Sequence, residues 1–291
     1  MKPLSYRAQL TLLLLPYLLG TLLLVAAPGL LTVLLSFTHY DAISPPVFAR
    51  LANFRELRLD PLIGIALKNT FTFAALAVPL RLAGAFGLAL VLKPAYRGVG
   101  AYRAAIYLPS ILPDVAYALI WLWIFNPLYG PLNFVLRAVG LPAPAWLADR
   151  ATALPALVIM SLFQIGEGFV VMLAALLLIP REYYELALTD GANRWQRFTY
   201  ITMPLVAPWL LLLACREIIL MLQSPLVPAL LMTGGGPYYA TLFLPLLAYE
   251  ESVDNLLFGE SAAMMVVMYA LTGLVLLAFF GVARRWMRVE E

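Results

Sequence analysis

Four charged residues, Asp114, Glu167, Arg216 and Glu217, stand in otherwise apolar stretches of the 291-residue chain, with the neutral polar groups of Gln164, Gln223 and Ser224 near them. A charge in hydrocarbon costs roughly 2.5–3.5 kcal/mol on insertion scales, so these side chains should face protein or water. Carboxylates and amides hydrogen-bond hydroxyl groups, the amides in both senses. The candidate chemistry is therefore reversible recognition of a hydroxylated solute by Gln164, Glu167, Gln223 and Ser224, with Gly166 and Gly168 allowing close approach beside Glu167. The competing use of Glu167 is an ion pair with Arg216 that fixes helix packing. Arg216 and Glu217, adjacent on a helix, project about 100° apart and are not expected to pair with each other.

Bond-making chemistry has little to work with. The chain has one histidine, His39, and one cysteine, Cys215, so an internal disulfide is impossible. No H-E-x-x-H zinc site or G-x-S-x-G nucleophile elbow occurs, and no phosphate loop of the G-x-x-x-x-G-K-[ST] type, so an enzyme is disfavoured and neither a metal nor a cofactor is expected. The glycines 234–236 with Pro237 lack the lysine of a phosphate loop and read as a turn.

Composition dictates the elements that must position these groups. The chain is 63% hydrophobic and 12% charged, against roughly 25% charged in ordinary soluble domains. A membrane-crossing helix needs about 20 mostly apolar residues. Six segments meet or approach that length: 10–37, 65–92, 104–125, 153–179, 205–232 and 261–282. Strict two-residue alternation is absent, so helices rather than barrel strands are indicated. The expectation is an all-α, polytopic membrane protein of six transmembrane helices forming one transmembrane domain over residues 1–291. The first apolar stretch exceeds the roughly 7–15 residues of a signal-peptide core and predicts an uncleaved span. Prolines such as Pro109, Pro113, Pro208, Pro225 and Pro228 predict kinks of the kind that line transport cavities.

With the amino terminus in the cytoplasm, Lys2, Arg7, Lys93, Arg97, Arg103, Arg181, Arg194, Arg197, Arg284, Arg285 and Arg288 fall on the inner side, and six Lys and Arg fall on the outer side. An excess of Lys and Arg marks inner loops, so both termini should be cytoplasmic. The net charge of +3 is thereby explained by topology, without nucleic acid. The outer segments 38–64 and 233–260 are long enough to carry small surface structures and to meet an external partner.

Between the fourth and fifth spans, the inner loop 180–204 reads PREYYELALTDGANRWQRFTYITMP. Its residues predict two short helices broken at Gly191. Pro180 suits a first helical position, Glu182 complements the helix dipole, and Gly191 can take the left-handed conformation that ends a helix. Beyond it, Trp195, Phe198 and Ile201/Thr202 make an apolar face against Arg194 and Arg197. Such an element either docks into a groove on a partner or lies on the membrane with its arginines at anionic headgroups. Physics alone leaves both open.

The loop resembles the E-A-A motif of permease subunits of ATP-binding-cassette importers. Glu185, Ala187, Gly191, Ile201 and Pro204 match in register, and Asp190-Gly191-Ala192 matches D-G-A, with Leu186 replacing the first alanine. In that family this segment is the coupling helix that inserts into the ATPase, so the resemblance makes Glu185, Ala187, Asp190, Gly191 and Ala192 the ATPase-coupling residues. An i,i+4 pairing of Glu185 with Arg181 is the structural alternative.

Further stretches resemble the sugar-permease branch, of the maltose and glycerol-phosphate permease type. They are Asn53-Phe54, Asn69-Thr70, RAAIYLPSILP ending at Pro113, Gly130 with Asn133, the W-L-x-D of Trp146 to Asp149, and T-x-G-G-P from Thr233 with Thr241 following. The resemblance implies a subunit of a bacterial inner-membrane importer that takes up sugars through a path shared with a second, homologous permease. Two cytoplasmic ATP-binding subunits and an extracytoplasmic solute-binding protein complete the implied assembly. A secondary transporter driven by an ion gradient, and import of glycerol phosphate or polyols by the same machinery, are the alternatives.

Overall fold

A computed structural model describes residues 6–223 and 225–287. Among these residues helices dominate, and strands are limited to one short hairpin. The chain packs as two compact units, one comprising the residues up to Ile63 with Leu247–Ala270, the other Gly64–Leu246 with the residues from Leu271.

In the first unit, α1 (Tyr6–Thr21) and α2 (Ala27–Leu35) are joined through a π-helical turn at Leu22–Ala26. The stretch Gln9–Leu35 is apolar and almost wholly unburied by the chain itself, as a helix bathed in lipid or covered by another subunit must be. It leads to a hairpin in which β1 (Thr38–His39) pairs antiparallel with β2 (Val47–Phe48), and to α3 (Ala52–Leu59). Asp41 closes the hairpin loop by accepting from the backbone N–H groups of Ser44 (2.7 Å) and Ile43 (3.0 Å). Those bonds, Ser44 first, hold its carboxyl below the usual carboxylate range. The segment 38–64 thus carries the surface structure its length predicts.

The fully buried Asn53 ties α3 down by donating to the carbonyls of Ser36 and Thr38, both at 2.9 Å. Its neighbour Phe54 packs on Phe37 with ring centroids 5.3 Å apart. The same carbonyl of Thr38 meets Gly259, where an added Cβ would lie 2.0 Å from it. Gly259→Ala is therefore expected to pry this corner apart and expose the segment 38–64 to trypsin at Arg50, Arg55 and Arg58 several-fold faster. Unchanged cleavage rates would show that the corner yields without cost.

In the second unit, α4 (Pro61–Leu92) runs on into a connection to α5 (Val99–Tyr107). A 3-10 turn at Leu108–Ile111 then leads to α6 (Asp114–Ile124) and α7 (Pro131–Ala138). Next come α8 (Ala153–Leu162) and α9 (Gly166–Leu177), and the loop 180–204 carries α10 (Arg181–Thr189) and α11 (Arg194–Arg197). A π turn at Phe198–Thr202 opens α12 (Met203–Gln223), followed by α13 (Leu226–Pro228); from Leu247 on, α14 (Leu244–Val253) belongs to the first unit, as does α15 (Phe258–Met287) as far as Ala270. Ala85 and Ala89 of α4 leave room for Phe169, Met172 and Leu176 of α9, with Val206 and Leu213 of α12 completing the core. Small residues at such contacts let backbones approach where lipid supplies no hydrophobic drive between helices.

Among the described residues four helices are long and apolar enough to cross a membrane singly, and two bent pairs raise the number to as many as six. The bent pairs lie in the third and fourth apolar segments, and the sharper of the two bends falls at the prolines where a kink is expected. The segment expected at 104–125 breaks by 104° between Val99–Ile111 and Asp114–Ile124, and that expected at 153–179 by 43° between α8 and α9. At the sharper break Pro109 and Pro113 supply no N–H, and Leu112 between them is extended (ψ 135°), as residues preceding proline prefer.

Two polar clasps in this unit account for motif residues. The buried Asn133 donates to the carbonyl of Pro144 (3.0 Å) and accepts from the indole of Trp146 (2.8 Å). Asn69 donates to the carbonyls of Tyr239 (2.7 Å) and Leu242 (3.0 Å), while the Thr70 hydroxyl accepts from the Leu244 N–H. Thr241 bonds both Thr233 and Gly236 at 2.7 Å. Gly234 and Gly235 take positive φ, forming the predicted turn.

Candidate functional site

The two breaks meet. The first helical N–H of α9, on Gly166, bonds the Ser110 hydroxyl at 3.0 Å. A Cβ on Gly166 would lie 2.6 Å from that oxygen and 2.8 Å from the Tyr107 Cα, so only glycine permits the approach. Beside this crossing lies a cavity of about 200 Å³, lined in part by Ser110, Asp114, Tyr117, Gln164 and Glu167 with Arg81 and Arg216. Breaking a helix frees carbonyls that lipid cannot satisfy. Here side chains satisfy them: Arg81 donates to Ser161 and, at 3.0 Å, to Gln164, and the Tyr117 hydroxyl donates to Met160 at 2.7 Å. A guanidinium at the carboxyl end of α8 also meets the favourable pole of the helix dipole.

Arg81 is 6% exposed, and its Nε bonds Glu217 at 2.6 Å, itself 4% exposed. Arg216 reaches both Glu217, at 2.9 Å, and Glu167. The result is a string of alternating charge, Glu167, Arg216, Glu217, Arg81, running from the open cavity into the core. The interhelical pairing of Glu167 with Arg216 is present. The expectation that Arg216 and Glu217 do not pair is corrected: the 100° offset describes where side chains leave the helix, and a long arginine can turn its head back. The string is formally neutral, and Asp114, in the first turn of α6, adds a carboxylate outside any ion pair among the described residues.

Of the residues expected to contact solute, Gln164 and Glu167 line the cavity. Gln223 lies partly buried at the last position of α12, outside that lining. Ser224 falls outside the described residues. Arg81, Ser110 and Tyr117 join the site without a signal in local spacing, because their partners lie 43 to 136 residues away.

The loop 180–204 forms the two helices expected of it. Pro180 sits one position earlier than predicted, just before the first helical residue. Gly191 has φ +78°, its N–H bonds the Leu188 carbonyl, and the Ala192 N–H bonds that of Ala187 at 2.8 Å. This double closure is the glycine-dependent way to stop a helix. Asn193 and Gln196 then cap α11 reciprocally. Among the described residues Glu185 has no ion pair with Arg181. Apolar side chains stand in the open: Leu186 is 65% exposed, Leu188 54% and Trp195 72%.

Residues 100–289 match the family described as the binding-protein-dependent transport system inner membrane component. The chain is 34% identical over 281 residues to a probable ABC transporter permease protein, YesP, of Bacillus subtilis, covering 95% of this chain and 90% of that one. It is 30% identical over 280 residues to the sulfoquinovosyl glycerol transport system permease protein SmoG of Agrobacterium fabrum, covering 92% and 91%. The fold matches a chain in the crystal structure of a bacterial alginate ABC transporter in complex with an alginate-pentasaccharide-bound periplasmic protein. The TM-score is 0.82 at 22% identity, with 95% and 94% of the chains covered.

Proposed function

This chain belongs to the binding-protein-dependent transport system inner membrane component family, and from that membership we propose that it is a sugar-importing permease subunit driven by ATP hydrolysis in a partner. The observation that carries the reading is the inner loop. Its motif residues Glu185, Ala187, Asp190, Gly191 and Ala192 lie on or just after a short helix that exposes apolar groups between acidic ones. Such a surface suits a groove on a protein, where Leu186 and Leu188 are buried and Glu182 and Glu185 meet basic side chains.

In this reading a second, homologous permease completes the path, two ATP-binding subunits sit on the cytoplasmic side with both termini, and a solute-binding protein delivers sugar outside. The cavity suits a hydroxylated solute. The Gln164 amide and the carboxylates of Asp114 and Glu167 offer donors and acceptors in a space of about 200 Å³, open to one side. The ion-pair string lets charges line this path without an unpaired buried ion.

The test is to tag the chain, solubilise it from its native membrane and identify co-purifying proteins by mass spectrometry. An ATPase carrying a phosphate loop, together with a second permease, is the expected result. Recovery of this chain alone, in a detergent that preserves a control complex, would favour a secondary transporter driven by an ion gradient.

A further inference from the structure

Of the nine residues of α10, only Tyr184 and Ala187 are less than exposed. Tyr184 is the side chain that roots this helix in the spans. Its ring packs on the core that includes Ala89, Leu92, Ile179 and Val206. Its hydroxyl lies 2.9 Å from that of Thr202, the buried last residue of the π turn opening α12. Lys93, just past the end of α4, donates to the same hydroxyl at 3.4 Å and stands 4.7 Å from the ring centroid. The position of Lys93 is held in turn by Arg103, which donates to the carbonyls of Leu92 (2.8 Å) and Lys93 (3.4 Å) at the end of α4.

Resting on the coupling reading of the loop, we infer that Tyr184 is the positioning residue that ties movement of α10 to α4 and α12 together. Those two helices carry Arg81 and Glu217, whose ion pair borders the cavity. At 1.5 Å per residue, Leu92 is roughly 16 Å along α4 from Arg81, and Thr202 roughly 22 Å along the chain from Glu217. A displacement of α10 is passed through one side chain to the inner ends of both helices. Because both helices are seized at one point, they shift in step, which keeps the buried Arg81–Glu217 pair intact while the space beside it changes. Glu185 and its neighbours face outward to receive the partner, and Tyr184 faces inward to transmit.

The readout is Cys215, the chain's single cysteine, partly buried on α12 beside Arg216. In the complex purified with its ATPase, the rate of N-ethylmaleimide labelling of this cysteine is measured by mass spectrometry of this chain, with and without magnesium ATP. ATP should change that rate in the native complex. Tyr184→Phe, which keeps the ring and loses the hydroxyl, should cut the change several-fold. Thr202→Val should also cut the change, and the double variant should be no worse than Tyr184→Phe alone, because the bond to Thr202 is already lost with the tyrosine hydroxyl. Native-like responses in both single variants, or additive losses, would overturn the inference while leaving the coupling loop in place. A native complex whose Cys215 ignores ATP would overturn the coupled movement on which the relay depends. Loss of the ATPase from both single variants would reduce Tyr184 to a structural anchor.

Discussion

Replacing Gly191 by valine, or Glu185 by lysine, is expected to lower substrate-stimulated ATP hydrolysis to the basal rate while the chain still inserts into the membrane. The two changes act differently. Space is not the constraint at Gly191, since a Cβ there meets nothing within 4 Å. Its φ of +78° is: a residue with a Cβ loses about 1–2 kcal/mol in that region, and a β-branched one more. Valine would draw the turn out of shape, breaking the closures to Ala187 and Leu188 and re-aiming α11. Asparagine tolerates the left-handed region, so Gly191→Asn should retain much of the stimulation that Gly191→Val loses. Lysine at the exposed position 185 changes charge without touching the fold. Membrane-fraction blots establish insertion, and hydrolysis by the purified assembly gives the ratio. Normal stimulation in both Gly191→Val and Glu185→Lys would sink the coupling assignment.

The other large effect belongs to Arg81 and Glu217. Removing one member of a buried pair leaves an uncompensated charge, at a typical cost of about 3–5 kcal/mol. Glu217→Ala should therefore lower the thermal midpoint of the chain in detergent, followed by circular dichroism, by on the order of 10 °C. Arg81→Met should be worse, because it also orphans the carbonyls of Ser161 and Gln164 where the fourth span bends. The double variant Arg81→Met/Glu217→Met removes both charges and should regain part of the Glu217 loss, but not the part owed to those carbonyls. Midpoints within a degree or two of the native chain for Glu217→Ala and Arg81→Met would show that water, not protein, solvates this pair.

Those two sites also divide what sequence can tell from what it cannot. Hydropathy finds the long apolar helices, because lipid demands long apolar runs whatever the tertiary contacts: the runs 10–37 and 261–282 coincide with the apolar helices Gln9–Leu35 and Phe258–Ala283. The two helices of the loop 180–204 are equally legible, since glycine and capping residues are local signals. The bends are half legible. Pro109 and Pro113 announce a break but not its 104°, which the Gly166–Ser110 contact from a different span helps to hold. Arg81 also lies within an apolar segment, and nothing near it in sequence points to Glu217, 136 residues on. Pairing of Arg216 with Glu217 was missed for a different reason, that helical geometry constrains stems more strictly than long flexible heads. Gln164 and Glu167 flank a bend that brings them to a cavity, whereas Gln223 shares their chemistry without that placement.

The exposed side chains of the coupling loop bear on the life of the chain before assembly. Leu186, Leu188, Trp195 and Tyr200 offer apolar surface to whatever reaches the loop first. Under the proposed topology that encounter happens in the cytoplasm, where chaperones and proteases recognise such surface as a mark of incompleteness. In the proposed assembly, a copy made without its ATPase would carry its own degradation signal and the arriving ATPase would hide it, so the residues proposed to couple the two subunits would also police their stoichiometry.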